Sequence, residues 1–382
     1  MEKEYNIIIA GAGGIAQATG LILAQRSQVS PKIFIGNRTL ERAQKAADWI
    51  RQGSTKSSDP QAFHLSENEL TDEMQYIFNQ ADIILDCLPG SQAPRIAQYA
   101  KDFNCHYANL TEHVEETNQI MEIAKDASTG FILQSGLAPG YIDILGHHLF
   151  QTFCNRYKVS KVDRLELKVG ALTEHGIPPH YYGFTWSPVG VATEYLKDTI
   201  VLRNYRKTSL PALSERSTII LDGVVYEQDL TSGGAADLPD ALSGKVASLD
   251  YKTLRFPQHY DWIDQQIATI EGEQNSISTL QQKMEEHIPH FSDDQVILYA
   301  AVEGIDHMGI RRRIEHTSRI LQQYVGKHKL RAIQSTTAAP LVQAAKMLLD
   351  FDFKGVILQS HIDPGIFLEG SFITPVYGYI SV

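Results

Sequence analysis

The stretch from Asn6 to Thr39 constrains this chain more than any other. Asn6-Ile7-Ile8-Ile9-Ala10 reads as a short buried strand, Gly11-Ala12-Gly13-Gly14-Ile15-Ala16 as a tight turn, and Gln17 to Gln25 as a helix. Lys32 to Gly36 is a second strand that ends in Asn37-Arg38-Thr39. Strand, glycine turn, helix and strand in this order make a βαβ unit, and G-x-G-x-x-A inside such a unit is a dinucleotide-binding fingerprint. Gly11 permits the turn, Gly13 lets the backbone approach a pyrophosphate, and Ala16 is small enough for helix and strand to pack closely. The helix N-terminus then offers unpaired N–H groups to the phosphates, with Gly14 among the cofactor-binding residues. The competing reading is a βα turn with a structural role only.

The end of the second strand bears on which dinucleotide binds. Units that take NAD usually place Asp or Glu here to hold the ribose 2′-hydroxyl. This chain has Asn37 at that point, followed by Arg38 and Thr39. A carboxylate repels a 2′-phosphate, whereas a guanidinium grips it with two parallel hydrogen bonds. The expected cofactor is therefore NADP, with NAD the less favoured. The alternative is an Arg38 that stacks on the adenine or faces solvent.

A chain of 382 residues, 43% of them hydrophobic, is long enough for two domains with full cores. Its net charge of −11 and its lack of a basic stretch interleaved with aromatics argue against nucleic acid as a partner. Arg311-Arg312-Arg313 reads as a solvated face or the end of a hairpin. No apolar run approaches the roughly 18 residues of a membrane span, so no membrane association is expected. Met1-Glu2-Lys3-Glu4 leads directly into a core strand and leaves no room for a signal peptide, which points to the cytoplasm. Cys87, Cys105 and Cys154 lack metal-ligand spacing, so no metal site is expected.

Alternation continues downstream. Leu40 to Arg51 is helical and a polar stretch follows through Pro60. Ala81 to Cys87 is a buried strand stopped by Leu88-Pro89-Gly90, Pro94 to Asp102 a helix, and His106 to Leu110 a strand. Glu115 to Asp126 is a helix and Phe131 to Ser135 a strand. The fold class is α/β: an N-terminal Rossmann, doubly wound parallel sheet, with ligands beyond the carboxyl ends of its strands. Leu88-Pro89-Gly90, Thr111-Glu112-His113 and Leu137-Ala138-Pro139-Gly140 occupy such ends, with Leu88 and Pro89 assigned to the cofactor. After about residue 142 the pattern changes. Leu165 to Leu172 and Ser217 to Ile220 look like strands without crossover helices, and Asp261 to His287 like one long amphipathic helix. Gln295 to Gly304 reads as a strand, with Arg312 to Gln322 as its hairpin partner, and Thr336 to Leu349 as a helix. The expected domains are 1–142, completed by about 335–382, for NADP, and a mixed α/β domain, 143–334, for substrate.

The second domain carries a family resemblance. Phe184-Thr185-Trp186-Ser187-Pro188, Glu194-Tyr195-Leu196, Thr231-Ser232-Gly233-Gly234 and Tyr251-Lys252-Thr253-Leu254-Arg255-Phe256-Pro257-Gln258-His259 follow one another in this order. Together with Gly136-Leu137-Ala138-Pro139-Gly140 and the N-terminal fingerprint, they make the chain resemble saccharopine dehydrogenase-like proteins over nearly its whole length. The resemblance implies an oxidoreductase of lysine metabolism, with a Rossmann domain, a substrate-binding domain, a small amino-acid substrate and a homodimer. Members break or form a C–N bond through an imine with a nicotinamide cofactor. Asn37-Arg38-Thr39 is similar to the NADP-using saccharopine reductases, whereas chain length and Leu137-Ala138-Pro139-Gly140 are closer to lysine 6-dehydrogenase. Carboxynorspermidine synthase is less similar in the second-domain blocks. The chain departs from the saccharopine reductase pattern near His113, at Ala138 and at Val169, and Asn109 is a further departure, so a non-catalytic NADP(H) sensor stays open.

Imine chemistry needs a base to free the amine lone pair and a proton shuttle when water adds, tasks that suit a group titrating near neutrality. His113 is the first candidate and His175, in Thr173-Glu174-His175-Gly176, the second; the bland alternative for each is an exposed loop histidine. Glu112 is better read as a surface acid than as a partner of His113, and Asp143 as a helix cap. A substrate carboxylate calls for a cation. Arg255 is preferred over Lys252 because a planar fork fits it bidentately, with a structural salt bridge as the alternative. Trp186 is a candidate wall for an aliphatic chain, and Ser232-Gly233 a candidate source of backbone N–H groups.

Overall fold

The computed structural model describes residues 3–112, 114–270, 272 and 275–380. Its backbone packs into two units: one holds the residues up to Tyr141, Gln323–Leu330 and Gln334–Tyr379, and the other is built mainly from Ile142–Gln322. The observed class is the expected one, α/β with a Rossmann-type parallel sheet and a separate mixed sheet.

In the first unit, strands β1 (Asn6–Ala10), β2 (Lys32–Asn37), β3 (Gln61–His64), β4 (Ile83–Asp86), β5 (His106–Asn109) and β6 (Gly130–Ile132) alternate with helices α1 (Gly14–Arg26), α2 (Leu40–Gly53), α3 (Asp72–Phe78), α4 (Ala93–Asp102) and α5 (Val114–Ala124). Ile7, Ile8, Ile9, Ile83, Ile84 and Leu85 are wholly buried, as near-continuous apolar runs covered on both faces must be. Strand β3 is absent from the reading of the sequence. Only Phe63 among its four residues is buried, so a short edge strand shows no periodicity to read.

The second unit holds α6 (Tyr141–Tyr157), β7 (Val162–Leu172), α7 (Pro188–Leu196), β8 (Thr199–Arg203), β9 (Arg206–Leu210), β10 (Ser217–Leu221), β11 (Val224–Leu230), α8 (Leu238–Ala241), β12 (Val246–Arg255), α9 (His259–Ala268), α10 (Ser276–His287), β13 (Gln295–Ile305) and β14 (Arg311–Leu321). The sheet runs β10-β11-β12-β7-β13-β14, parallel only between β12 and β7. One expectation needs correction, and one hairpin is added. The single helix over Asp261 to His287 is two helices: Thr269 caps the first, and Gly272 sits at φ +85°, where a helix cannot continue. The β8–β9 hairpin was not foreseen, because its turn residues Asn204 and Tyr205 both take positive φ without glycine to signal it. The arginine run lies at the start of β14, where Arg311 pairs with Asp163 and Glu303, Arg312 with Asp306, and Arg313 with Glu166, Glu303 and Glu315.

The chain closes with the hairpin β15 (Gln323–Val325) and β16 (His328–Leu330), the helix α11 (Ala332–Asp350) and the strand β17 (Gly355–Ile357). Strand β17 pairs in parallel with β6, which completes the seven-stranded order β17-β6-β5-β4-β1-β2-β3. The strand order reverses between β1 and β4, which run parallel, and the carboxyl ends of β1, β2 and β4 border the point where a ligand crevice forms. Among the described residues no helix is long and apolar enough to cross a membrane.

Candidate functional site

The turn after β1 is shaped by its neighbours. The N–H of Gly11 donates to the carbonyl of Gly36 at 2.7 Å, and the residue takes φ +115°. A Cβ there would lie 3.0 Å from the carbonyl oxygen of Cys87, so crowding and the positive φ together favour glycine between the ends of β2 and β4. Gly13 is the opposite case: nothing lies within 4 Å of where its Cβ would be. That open space fronts the start of α1, which no side chain caps and whose first turn carries no acid. Its orphan N–H groups and the positive end of the helix dipole suit a phosphate. Ala16 is 1% exposed, packed where a larger side chain would push the helix off the sheet.

At the end of β2, the Asn37 side chain accepts the N–H of Thr39 at 3.0 Å, closing a local turn. Arg38 is thereby directed outward; its side chain is 65% exposed, with Nη1 3.4 Å from Glu67 Oε1. Asn37, Arg38 and Glu67 line a pocket of about 320 Å³ together with Arg42, Leu65, Leu88, Pro89, Ser91, Gln92 and Arg95. The structure thus gathers Asn37, Arg38, Leu88 and Pro89, all named from the sequence, and adds Arg42, Glu67 and Arg95. Arg42 was detectable, since it falls four residues after Arg38 at the start of α2. Arg95 comes from α4, and nothing local in its sequence marks it.

The lip of this pocket rests on a buried acid. Asp86, at the end of β4, accepts the N–H of Leu88 at 2.9 Å and the hydroxyl of Tyr107 at 2.8 Å. Burial pushes its carboxyl up to about 6; the Leu88 and Tyr107 hydrogen bonds and the charge of Arg95 only partly offset this. At the end of β5, Asn109 Oδ1 accepts the N–H of Gln134, and its carbonyl accepts the N–H of Ser135, both at 2.8 Å. Asn109 thus locks β5 to the segment after β6.

His113 lies outside the described residues. His175 is in a solvent-facing loop, its side chain 83% exposed and 3.8 Å from Glu174. Asp143 is wholly buried in the first turn of α6. Trp186 is half-buried against the core of the second unit. Ser232 donates its N–H to the carbonyl of Glu194 at 3.1 Å, and Gly233 makes the turn at φ +87°.

Both substrate-anchor candidates, Lys252 and Arg255, are buried in the second unit. Lys252 donates to the carbonyl of Glu215 and lies 3.7 Å from its carboxylate. Arg255 is 1% exposed. Its Nε donates to Tyr195 Oη at 2.6 Å and its Nη1 to the Leu254 carbonyl at 3.0 Å, with the guanidinium 4.7 Å above the Tyr182 ring centre. Tyr195 Oη in turn meets His259 Nε2 at 3.0 Å, and His259 Nδ1 meets the His180 carbonyl at 2.7 Å. A carbonyl can only accept, so His259 carries its proton on Nδ1 and its Nε2 accepts a hydrogen bond from the Tyr195 hydroxyl. Burial and the adjacent Arg255 hold this imidazole neutral, well below its ordinary range. The blocks around Tyr195 and Tyr251–His259 therefore meet as a closed polar core, with Arg255 as its hub.

Comparisons with known proteins bear on the family and the fold. The family model described as the saccharopine dehydrogenase NADP binding domain matches residues 7–132, and that of the saccharopine dehydrogenase C-terminal domain matches residues 136–369. The fold is similar to that of an apo, glutamate-forming saccharopine dehydrogenase from Saccharomyces cerevisiae, at 15% identity and a TM-score of 0.76, covering 98% of each chain. It is also similar to the homospermidine synthase from Legionella pneumophila solved with NAD, at 11% identity and a TM-score of 0.69, covering 98% of this chain and 90% of the other.

Two outcomes are expected from these environments. The folded protein raises Asp86 from 3.8 to about 6, so between those values the native state holds a proton that the unfolded chain has released. Stability then rises as pH falls from 7 toward 4, and Asp86→Asn should be more stable than the native protein at pH 7.5 by about 1–3 kcal/mol, the gap closing near pH 4. Urea denaturation at several pH values reads this, and parallel pH curves for the two proteins would refute it. Arg255→Ala should lower stability by about 3–5 kcal/mol by opening the buried network, and Arg255→Lys should cost nearly as much, since an ammonium lacks the planar fork. An unshifted denaturation midpoint with a raised KM would instead return Arg255 to the substrate.

Proposed function

The chain belongs to the saccharopine dehydrogenase family and is an NAD(P)-dependent Rossmann-fold oxidoreductase, and from that premise we propose that it uses NADP to break or form a C–N bond of a lysine-derived amino acid. A saccharopine-like secondary amine is the first proposed substrate and lysine the second. The observation that carries the cofactor choice is the pocket at the end of β2, where Arg38, Arg42 and Arg95 surround a strand end that bears Asn37 and not an acid. A 2′-phosphate brings a charge of roughly −2, and a cluster of guanidinium groups is the side-chain set best shaped to receive it.

Gly11, Gly13, Gly14 and Ala16 are proposed to seat the pyrophosphate, with Asn37, Arg38 and Thr39 at the adenosine ribose and Leu88 and Pro89 closing over it. The bound cofactor supplies the hydride acceptor. The substrate amine must first give up a proton, so that its lone pair can expel hydride from the adjacent carbon and leave an iminium. Water adds to that carbon, a proton returns to nitrogen, and the C–N bond breaks to a carbonyl compound and a free amine. His113 is the proposed group for these transfers. His175 is the weaker candidate, because a ring so open to water is poorly shielded for them. Trp186 is proposed as a wall for the aliphatic part of the substrate.

Arg38→Ala should weaken NADPH binding by about 10- to 100-fold, in line with the loss of a charge-assisted bidentate contact. NADH binding should change much less, and equal losses for both would remove the 2′-phosphate role. Absorbance at the nicotinamide band distinguishes the reaction classes. Turnover is expected with saccharopine, or in reverse with 2-aminoadipate semialdehyde and glutamate, and should collapse in His113→Gln. Cofactor binding without turnover of these, of lysine or of the semialdehyde with diamines would identify a sensor and not an enzyme.

A further inference from the structure

The Arg38 pocket contains one residue whose charge opposes its proposed ligand. We propose that Glu67 sets how sharply this protein discriminates between NADP and NAD: its carboxylate replaces the acid missing at Asn37, accepts the ribose 2′-hydroxyl of NAD, and must release Arg38 when a 2′-phosphate enters. The inference rests on reading this pocket as the 2′-phosphate site.

Topology brings Glu67 there. Strands β2 and β3 pair in parallel as far as Asn37 and His64, and the ladder runs one step further, the N–H of Leu65 donating to the Asn37 carbonyl at 3.0 Å. Glu67 follows two residues later, in the turn after the strand adjacent to the one that usually supplies the acid. The turn carrying it is fastened from two sides. Ser66 Oγ accepts the N–H groups of Asn68 and Glu69 at 3.3 and 3.4 Å, and the Ser66 carbonyl accepts Arg95 Nη1 at 2.6 Å. Glu67 Oε1 then stands 3.4 Å from Arg38 Nη1, and both side chains line the same cavity.

The energetics suit an exchange of partners. The Arg38 and Glu67 side chains are 65% and 41% exposed, so their ion pair is a weak surface pair that a dianionic phosphate displaces readily. The carboxylate nonetheless stays at the pocket wall and repels the phosphate, which reduces the advantage conferred by Arg38, Arg42 and Arg95. With NAD there is no such repulsion, and a charged acceptor for the 2′-hydroxyl gives a stronger hydrogen bond than a neutral one. A pocket of this composition prefers NADP yet still admits NAD.

The test is titration of the full chain with NADPH and with NADH, followed by nicotinamide fluorescence, for the native protein, Glu67→Gln and Arg38→Ala. Glu67→Gln should bind NADPH about 5- to 10-fold more tightly and NADH about 2- to 5-fold less tightly, a redistribution expected when one charge leaves the pocket. Raising ionic strength should shrink the NADPH gain. If Arg38→Ala shifts the preference toward NADH while Glu67→Gln moves neither cofactor, or both alike, the role of Glu67 is overturned and the 2′-phosphate site stands. If Arg38→Ala weakens both cofactors equally, the site reading fails and the Glu67 inference fails with it.

Discussion

The Gly11 turn is the constraint on which the first unit depends. Its N–H is tied to Gly36 on one side, and on the other a Cβ would come within 3.0 Å of the Cys87 carbonyl oxygen, at a φ of +115° that L side chains rarely adopt. That single contact brings the ends of β1, β2 and β4 to one place and aims the uncapped start of α1 across them. The same three strand ends carry Asn37 with Arg38, and Asp86 with Leu88, so the pocket walls follow from the turn. A residue larger than glycine at position 11 would separate the elements that define the site, whatever chemistry those elements carried.

Around that turn, charge is distributed unevenly. Arg38, Arg42 and Arg95 give the pocket a cationic character within a chain whose net charge is −11. A local field of opposite sign to the whole molecule comes from placement, since clefts focus the charges that line them. Asp86 sits beneath, holding the Leu88 backbone and the Tyr107 hydroxyl, at the cost of a buried carboxyl whose protonation is favoured by the fold. The acid shapes the lip through hydrogen bonds and contributes to the field only when ionised.

The second unit uses its polar residues in another way. Arg255 Nε, the Tyr195 hydroxyl, His259 and the His180 carbonyl form a hydrogen-bonded chain, and the carbonyl at its end determines the histidine tautomer. Thr231 and Thr253 share a hydrogen bond at 2.6 Å, and Tyr260 donates to the Thr253 carbonyl at 2.6 Å. Conspicuous polar blocks in this part of the sequence are therefore parts of a core. Partnered polar groups in a dry interior specify one packing arrangement, because each misplacement leaves a donor or acceptor unsatisfied.

Sequence and structure each decided a definable part. The parallel sheet, the fingerprint and the Asn37-Arg38 strand end were legible in the chain, because apolar runs, glycine spacing and the end of a strand are local signals whose physical meaning needs no distant partner. The edge strand β3, the break between α9 and α10 and the Asn204-Tyr205 turn were not, since each depends on packing that overrides a weak local preference. The same holds for function. Arg255 reads as a ligand-binding cation in sequence, and in space it is buried against Tyr182, Tyr195 and the Leu254 carbonyl. Arg95 and Glu67 carried no signal and stand in the pocket wall. Residue type and spacing determine which chemistry a chain can offer. Which of those groups stay open to a ligand is decided by burial and by neighbours distant in sequence, and only the tertiary structure supplies both.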